Sequence, residues 1–200
     1  MTSSLLPRHI ARVAVVGDVS PGFRDAFDDG SASITWIAGG ADAFAEGFWD
    51  HARACVPATV DAFVNATARW PSRADIGVAD EFDQGFDSTV KRLHLGSAAF
   101  ASIISDGGCI INLIPVTAEG DVLGAALGGS AVTLTRALAW ELAPRIRVEC
   151  VLGDALDGGA EPAGVARFLT SREASFLTGL TLEAAGSEVR PSADIRRHAV

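Results

Sequence analysis

The sequence contains no tyrosine among its 200 residues, which excludes any reaction that needs a phenolic proton donor from this chain. Cysteine is scarce, and Cys55, Cys109 and Cys150 are an odd number without metal-ligand spacing, so neither a disulfide framework nor a zinc site is expected. Basic runs are absent and the formal net charge is −9, which argues against binding to nucleic acid or anionic membranes. The 48% hydrophobic and 20% charged residues indicate a globular protein.

Long apolar segments are also missing. The N-terminal stretch MTSSLLPRHIARVAVVG lacks the apolar core of a signal peptide, and no apolar run approaches the ~20 residues of a membrane helix. We therefore expect a cytoplasmic protein. A chain of this length suits one domain, which we expect over residues 1–187, with residues 188–200 as a C-terminal extension. Cys109 and Cys150 lie in apolar runs and are expected to be buried.

Short β-branched runs alternate with longer amphipathic stretches, which predicts an α/β fold: a doubly wound, Rossmann-like parallel sheet. Predicted strands cover residues 12–16, 34–38, 60–64, 109–113, 146–152 and 180–184. Predicted helices cover residues 23–27, 42–54, 81–105, 127–142 and 162–169. The third helix is predicted to bury one apolar stripe, formed by Phe82, Phe86, Val90, Leu93, Phe100 and Ile104.

Five segments follow one another in the order found in a large enzyme family. They are FVNATA, FDSTVKRLHLGSAAF, GGCIINL, AVTLTRALAWELAPRIRVECVLG and VARFLTSREASFLTGLTLEAAG. The first two are similar to a strand that ends in Val-Asn-Asn-Ala-Gly and to a helix centred on Val-Asn-Leu-x-Gly. The third is similar to the strand before a catalytic serine, and the fourth to the helix and strand that follow a Tyr-x-x-x-Lys motif. The fifth is similar to the last segment of the family's proteins. The chain thus resembles the short-chain dehydrogenase/reductase family over about two thirds of its length.

The residues that carry the family's chemistry are absent at the matching positions. The tyrosine position falls on Ala125, the lysine position on Gly129, the serine position on Ile114 or Pro115, and the proton-relay asparagine on His94. In the family, the tyrosine transfers the hydroxyl proton, the lysine lowers its pKa and the serine holds the substrate oxygen. Alanine, glycine, isoleucine and proline carry no ionisable or hydroxyl group. The resemblance therefore implies a chain without catalytic residues.

The cofactor turn of the family is altered as well. A dinucleotide fingerprint needs glycines and free N–H groups at a helix N-terminus. Here the turn reads GDVSPGF, in which Pro21 lacks an N–H and Asp18 adds a carboxylate. Gly17, Gly22 and Asn65 are the remnants of the family's cofactor site, and we expect this chain to bind no cofactor.

The N-terminal part of the chain is shorter than in the proteins of this family. Between the first strand and FVNATA there is room for one strand–helix unit where the family has two, which implies the loss of about one βα unit. Asp42 lies near the spacing of a ribose-binding acid, but it follows a Gly-Gly pair and is interpreted as a helix N-cap. His9, His51 and His198 are separate in sequence and predict no metal site.

The best preserved segments are those that form subunit contacts in the family, namely helices 81–105 and 127–142 and the last strand. Pairings of a truncated inactive subunit with an active one are known in this family, for instance in a hydroxyacyl-CoA dehydrogenase of benzylsuccinate degradation. The resemblance therefore implies a non-catalytic subunit in a hetero-oligomer, a tetramer, whose active short-chain dehydrogenase/reductase partner binds NAD.

Two other hypotheses stay open at this point. In the first, the domain is a stand-alone module that binds a small molecule such as an acyl-CoA in the old substrate cleft. In the second, His94 and a nearby acid, Asp106 or Asp121, support a nicotinamide-independent reaction. The neighbours Leu93 and Leu95 favour a simpler role for His94, as a packed and hydrogen-bonded histidine.

Overall fold

A computed structural model of the chain describes residues 10–39, 47–67, 78–116, 121–156 and 159–184. Within them, six strands form one parallel sheet in the order β2-β1-β3-β4-β5-β6. The strands are β1 (Arg12–Val16), β2 (Ser33–Ile37), β3 (Val60–Ala66), β4 (Ile104–Ile114), β5 (Ile146–Leu152) and β6 (Thr181–Glu183). The predicted α/β class with a parallel, Rossmann-like sheet is confirmed.

Helices cover both faces of this sheet. They are α1 (Pro21–Phe27), α2 (Phe48–Ala54), α3 (Val78–Phe86), α4 (Arg92–Ala101), α5 (Val122–Leu142) and α6 (Ala160–Leu169). Helices α1 and α6 pack on one face, and α2, α4 and α5 pack on the other. Because helices cover both faces, β3, β5 and the second half of β4 are buried at almost every position. Cys109 and Cys150 lie in these strands and are buried, as predicted.

The long helix predicted over residues 81–105 differs from the structure at both ends. Helical structure already begins at Val78, and α4 ends at Ala101. The strand β4 begins soon afterwards because Ile104 pairs with Val60 of β3. This pairing joins residues far apart in sequence, so a helical pattern along the chain does not reveal it.

The apolar stripe predicted for this helix is also interrupted. A π-helical turn, Asp87–Lys91, joins α3 to α4 and changes the helical register between them. Phe82 and Phe86 are consequently exposed, whereas Leu93 and Phe100 are buried against the sheet. The prediction of one continuous buried face is therefore wrong for its first half.

The helix α5 begins at Val122 rather than at residue 127. The carboxylate of Asp121 caps it by accepting a hydrogen bond from the Gly124 N–H at 2.8 Å. Its 21 residues are long and apolar enough to cross a membrane, which corrects the expectation that no such segment occurs. In this structure α5 packs on one face of the sheet, and its own residues Ala131 and Leu138 are buried.

Between β1 and β3 the described residues contain the helix α1, which follows β1, and one further strand–helix unit, formed by β2 and α2. This agrees with the single strand–helix unit inferred from the sequence. Asp42, His9, His198 and the extension at 188–200 lie outside the described residues, so the interpretations of them remain predictions.

Candidate functional site

The carboxyl ends of β1 and β3 form the topological switch point of the sheet, because β2 lies on one side of β1 and β3 on the other. Ligands of open α/β sheets bind outside the strand ends at such a point. Gly17 follows β1 directly and has a φ of 140°. A Cβ there would meet the Ala66 carbonyl and lie 2.8 Å from the Ala66 Cβ, so only glycine fits. The turn that resembles a cofactor site therefore stands at the expected place.

The N–H groups of this turn form hydrogen bonds within the protein. The Gly17 N–H donates to the Ile37 carbonyl at 2.9 Å, and the Ser20 N–H donates to the Ala155 carbonyl at 2.8 Å. The Phe23 N–H donates to the Ser20 hydroxyl at 3.1 Å, which caps α1. Because proline has no N–H, the next residue, Pro21, adds no donor. Three of the six N–H groups in this turn are thus already used within the protein.

Two described residues between β5 and α6, Ala155 and Gly159, lie against the N-terminus of α1. Ala155 in this connection is buried, and a Cβ at Gly159 would lie 2.6 Å from the Ser20 hydroxyl oxygen. Gly22, by contrast, is exposed, and a Cβ there would come no closer than 3.9 Å to that same oxygen. Gly22 therefore has no close contact that requires a glycine, although the sequence assigned it to the cofactor turn.

A buried arginine lies beside the turn. Arg92, at the start of α4, is 4% exposed. Its guanidinium group packs against Gly39, whose missing side chain leaves the room, and Gly39 in turn touches Gly17. Burial lowers the pKa of Arg92 to about 10, while the charge of Asp18 acts in the opposite direction. Arg92 Nε and Nη2 have no hydrogen-bond partner.

Arg92 and Ala155 were not identified from the sequence. Arg92 stands next to the buried Leu93, and both point inward because the preceding π-helical turn rotates this part of the helix. A charged residue inside an apolar helix pattern is a weak signal of such a site. The sequence gives no indication of the role of Ala155, because its hydrogen bond with Ser20 is made by backbone atoms.

Asn65 lies inside the protein rather than at the surface of the turn. Its side-chain N–H donates to the Leu93 carbonyl at 3.4 Å, and its Oδ1 has no partner. The residue opposite it on β4 is Asn112, whose side-chain N–H donates to the Thr135 hydroxyl at 3.0 Å. Asn65 therefore ties β3 to α4, and the two asparagines connect the sheet to its helices.

The positions matched to the tyrosine, lysine and serine carry no proton-transfer group. Ala125 and Gly129 are exposed one turn apart on α5. Ile114, the last residue of β4, is buried, and Pro115 follows it. These positions lie at the same edge of the sheet as Gly17. None of the side chains at these four positions is an acid, a base or a hydroxyl.

His94 is exposed, which corrects its interpretation as a packed histidine, and no hydrogen bond or ion pair joins it to another described residue. Asp121 is already used as the cap of α5. Asp106 lies near the amino end of β4, 4.0 Å from Arg145, whereas His94 lies near the opposite edge of the sheet because α4 runs antiparallel to the strands. His94 and Asp106 thus lie at opposite edges of the sheet and do not form the alternative catalytic pair. Among the described residues, no group of three or more His, Cys, Asp or Glu side chains could hold a metal ion.

No protein-family model matches the sequence, and no curated protein matches it. Solved structures do match. A short-chain dehydrogenase/reductase of Brucella melitensis, described as a glucose/ribitol dehydrogenase, has a TM-score of 0.70 at 20% identity over 88% of this chain and 95% of that chain. A hydroxysteroid dehydrogenase of Escherichia coli has a TM-score of 0.72 at 19% identity over 93% and 100% of the two chains. An NADH-dependent enoyl-[acyl-carrier-protein] reductase of Aquifex aeolicus has a TM-score of 0.73 at 14% identity over 87% and 94%.

The chain has the short-chain dehydrogenase/reductase fold. This confirms the fold implied by the order of the five sequence segments. At these low identities the similarity establishes the short-chain dehydrogenase/reductase fold alone, and the activities named above belong to those proteins. The function of this chain depends on the residues at its switch point and on its surface.

Proposed function

We propose that this chain is a non-catalytic subunit that assembles with, and stabilises, an active NAD-dependent dehydrogenase of the same fold. The observation that carries the proposal is the composition of α5. From Val122 to Thr135 this helix has no ionisable side chain, and its exposed positions include Ala125 and Gly129. The same helix thus lacks proton-transfer chemistry and presents an uncharged surface.

The switch point supports the assignment of NAD to the partner. A pyrophosphate at the N-terminus of α1 would need the N–H groups of Ser20 and Phe23, which already donate to Ala155 and to the Ser20 hydroxyl. Leaving a buried partner of such a bond unsatisfied costs about 1–3 kcal/mol. This turn therefore has few free hydrogen-bond donors for the pyrophosphate of a dinucleotide.

The outward face of α5 is the proposed assembly surface. Val122 at its start is 82% exposed and Trp140 near its end is 88% exposed. The exposed positions between them include the small residues Ala125, Ala126, Gly129, Ser130 and Thr133. Small residues allow a second helix to approach closely, and a large aromatic side chain is a typical anchor of protein interfaces.

Two neighbouring features extend this surface. Trp140 borders a cavity of about 360 Å³ that Thr178 also lines. On the adjacent helix α3, Phe82 and Phe86 are both exposed, with their ring centroids 6.4 Å apart. Exposed apolar groups of this size mark interaction sites when they lie together. We assign them to contacts with the active subunit.

The substrate class of the complex rests on the sequence resemblance. It points to a hydroxyacyl-CoA, such as a benzylsuccinyl-CoA derivative, oxidised by the active subunit of a cytoplasmic tetramer. In that arrangement α3, α4, α5 and the edge strand β6 of this chain face the partner. Only residues of the active subunit would then take part in the oxidation of the alcohol.

Native mass spectrometry tests this function. The chain is measured alone and after co-production with an intact short-chain dehydrogenase/reductase from the same genome, with NAD added to each sample. We expect a mixed oligomer that binds one NAD for each intact subunit, and no NAD on the chain by itself. Stoichiometric NAD binding by the isolated chain would contradict the proposal, as would a chain that stays separate from every intact relative tested.

A further inference from the structure

A cavity of about 270 Å³ opens at the amino ends of β1 and β2. Its wall is apolar and is formed by Ile10, Val13, Phe27, Ala32 and Ile34. Charged side chains of both signs stand at its mouth, namely Asp29, Arg167, Arg172 and Glu173. Small-molecule sites combine an apolar lining with a few polar groups in this way. Since an apolar cavity of about 150 Å³ already holds benzene, this one has room for a substituted ring.

The cavity lies at the opposite edge of the sheet from the switch point. Val13 and Ile34 are near the starts of β1 and β2, whereas Gly17 follows the carboxyl end of β1. The C-terminal ends of α1 and α6 border the cavity, and these two helices pack on one face of the sheet. The helix α5 packs on the other face. The cavity is therefore separate from the cofactor turn and from the proposed assembly surface.

The wall of the cavity belongs to the packed core. Phe27 is 4% exposed, and its ring stacks on Phe23 with the ring centroids 5.7 Å apart. The same ring meets Trp36 of β2 edge-on, with the centroids 6.1 Å apart. These contacts fix the position of Phe27 without any ligand. A ligand therefore meets a preformed surface, which reduces the entropy lost on binding.

The two acids at the mouth already have hydrogen-bond partners. Asp29 Oδ1 accepts from the Ser31 N–H at 2.9 Å, and Arg167 Nη1 lies 3.7 Å from Asp29 Oδ2. Hydrogen bonds from Ser31 lower the pKa of Asp29. A hydrogen bond from its own backbone N–H likewise lowers the pKa of Glu173. Both carboxylates are thus stabilised as anions by the protein itself.

The guanidinium groups of Arg167 and Arg172 supply the unused donors of the mouth. Both side chains are exposed, and neither guanidinium group donates a hydrogen bond to another described residue. A guanidinium group presents parallel N–H donors that match the two oxygens of a carboxylate. The apolar wall lies behind these donors and suits a hydrocarbon body.

We propose that this cavity binds a small amphipathic carboxylate, an aromatic or branched carboxylic acid in its ionised form. The hydrocarbon body packs on Phe27 and Ile34, and the carboxylate accepts hydrogen bonds from Arg167 and Arg172. The proposal does not depend on the assembly of this chain with an active dehydrogenase. It assigns a binding role to the amino edge of the sheet, away from the altered cofactor turn.

Methyl NMR of the full-length chain tests the site, because Ile10 and Ile34 line the cavity. Protein with isotope-labelled isoleucine methyl groups is titrated with sodium benzoate at constant pH and ionic strength. We expect saturable shifts of the Ile10 and Ile34 signals, while the signal of Ile110, buried in β4, stays unchanged. Benzyl alcohol has the ring without the charge, and acetate has the charge without the ring. Each should bind about tenfold more weakly than benzoate.

Two pairs of substitutions separate the charge from the apolar contact. Arg167→Gln combined with Arg172→Gln should weaken benzoate about tenfold and change the affinity for benzyl alcohol less than twofold. Arg53→Gln combined with Arg136→Gln is the matched control, because it removes the same charge from exposed positions of α2 and α5. The control should bind benzoate as the wild type does. Ala32→Leu places a larger side chain in the wall and should weaken both ring compounds.

The proposal is overturned if benzoate causes no saturable shift of the Ile10 and Ile34 signals. It is overturned as well if the variant without Arg167 and Arg172 binds benzoate as tightly as the wild type. Equal affinities of the wild type for benzoate and benzyl alcohol would contradict the assignment of a carboxylate. Assembly with an active dehydrogenase is measured by native mass spectrometry, so failure of this site leaves the proposed non-catalytic function untouched.

Discussion

Gly159 lies against the backbone of Phe23, so closely that a Cβ at position 159 would stand 2.8 Å from the Phe23 nitrogen. This contact places Gly159, directly before α6, against the first turn of α1. In a dinucleotide-binding protein the same place is open to the pyrophosphate. The contact therefore has direct consequences for stability.

Replacement of Gly159 should destabilise the protein. Gly159→Ala introduces a Cβ that meets Ser20 and Phe23 at a residue with a φ of 22°, and we expect a loss of about 1–3 kcal/mol in the free energy of unfolding. Gly164→Ala is the matched control in α6, where nothing lies within 4 Å of the added Cβ; it should raise stability by about 0.5–1 kcal/mol. Urea unfolding measures the stability of both variants. Equal effects of the two substitutions would mean that Gly159 does not pack closely against α1.

A charged side chain on the outward face of α5 should prevent assembly. Ala125→Arg places a guanidinium group on that exposed face, where a close helix contact has no room or counter-charge for it. We expect the mixed oligomer to weaken at least a hundredfold while the chain itself remains folded. Ala54→Arg makes the same change at an exposed position of α2 and should leave the oligomer intact. Analytical ultracentrifugation compares the two variants, and assembly by Ala125→Arg would exclude this face as the interface.

Two helical glycines should respond to alanine in opposite ways. Gly129 on α5 has nothing within 4 Å of an added Cβ, so Gly129→Ala should stabilise the isolated chain by about 0.5–1 kcal/mol. At Gly96 on α4, a Cβ would lie 2.6 Å from both the Asn65 amide nitrogen and the Trp49 ring, and Gly96→Ala should destabilise by about 1–3 kcal/mol. Calorimetric unfolding measures the difference. A stabilised Gly96→Ala variant would show that Asn65 does not pack as described.

A buried ion pair on β5 should make the stability depend on pH. The Glu149 carboxylate accepts a hydrogen bond from Arg147 at 2.8 Å, but its second oxygen has no partner. Burial raises the pKa of Glu149 from 4.5 to about 8, against the opposing effect of Arg147. The folded state therefore binds this proton more tightly than the unfolded chain, and the free energy of unfolding falls as pH rises from about 4.5 to about 8.

Glu149→Gln tests this dependence, because glutamine can still accept from Arg147 but does not titrate. Denaturant unfolding at several pH values should show that the variant gains stability relative to the wild type as pH rises through this window. The difference should level off above it. A constant difference between pH 5 and pH 8 would mean that Glu149 is ionised in the folded protein throughout.

Several elements could be predicted from the sequence because their signals are local. Arg12–Val16 and Ile146–Leu152 match the predicted strands in both bounds, since each is a β-branched run between turn residues. The end of α5 was also predicted correctly, because Pro144 stands just beyond its last residue, Leu142. Its start was missed because Asp121, the N-cap, lies in a glycine-rich stretch without a clear apolar pattern.

The candidate site was only partly predictable. The sequence located the glycine turn at Gly17 and the residues at positions 125 and 129. It did not indicate that Ser20 and Ala155 are joined, or that Arg92 reaches the turn. Those relationships depend on how the β5–α6 connection and α4 pack against α1 and β2, and such long-range contacts leave no periodic pattern along the chain.

Composition and residue order by themselves determined that this chain is an α/β protein without tyrosine, with a parallel sheet built from its β-branched runs. They did so because strand burial and residue chemistry depend on local sequence. Only the tertiary structure decided that the N–H groups of Gly17, Ser20 and Phe23 are used within the protein and that Arg92 is buried. The reason is physical: hydrogen-bond partners and burial are properties of segments brought together by folding, and Ser20, Arg92 and Ala155 come from three distant parts of the chain.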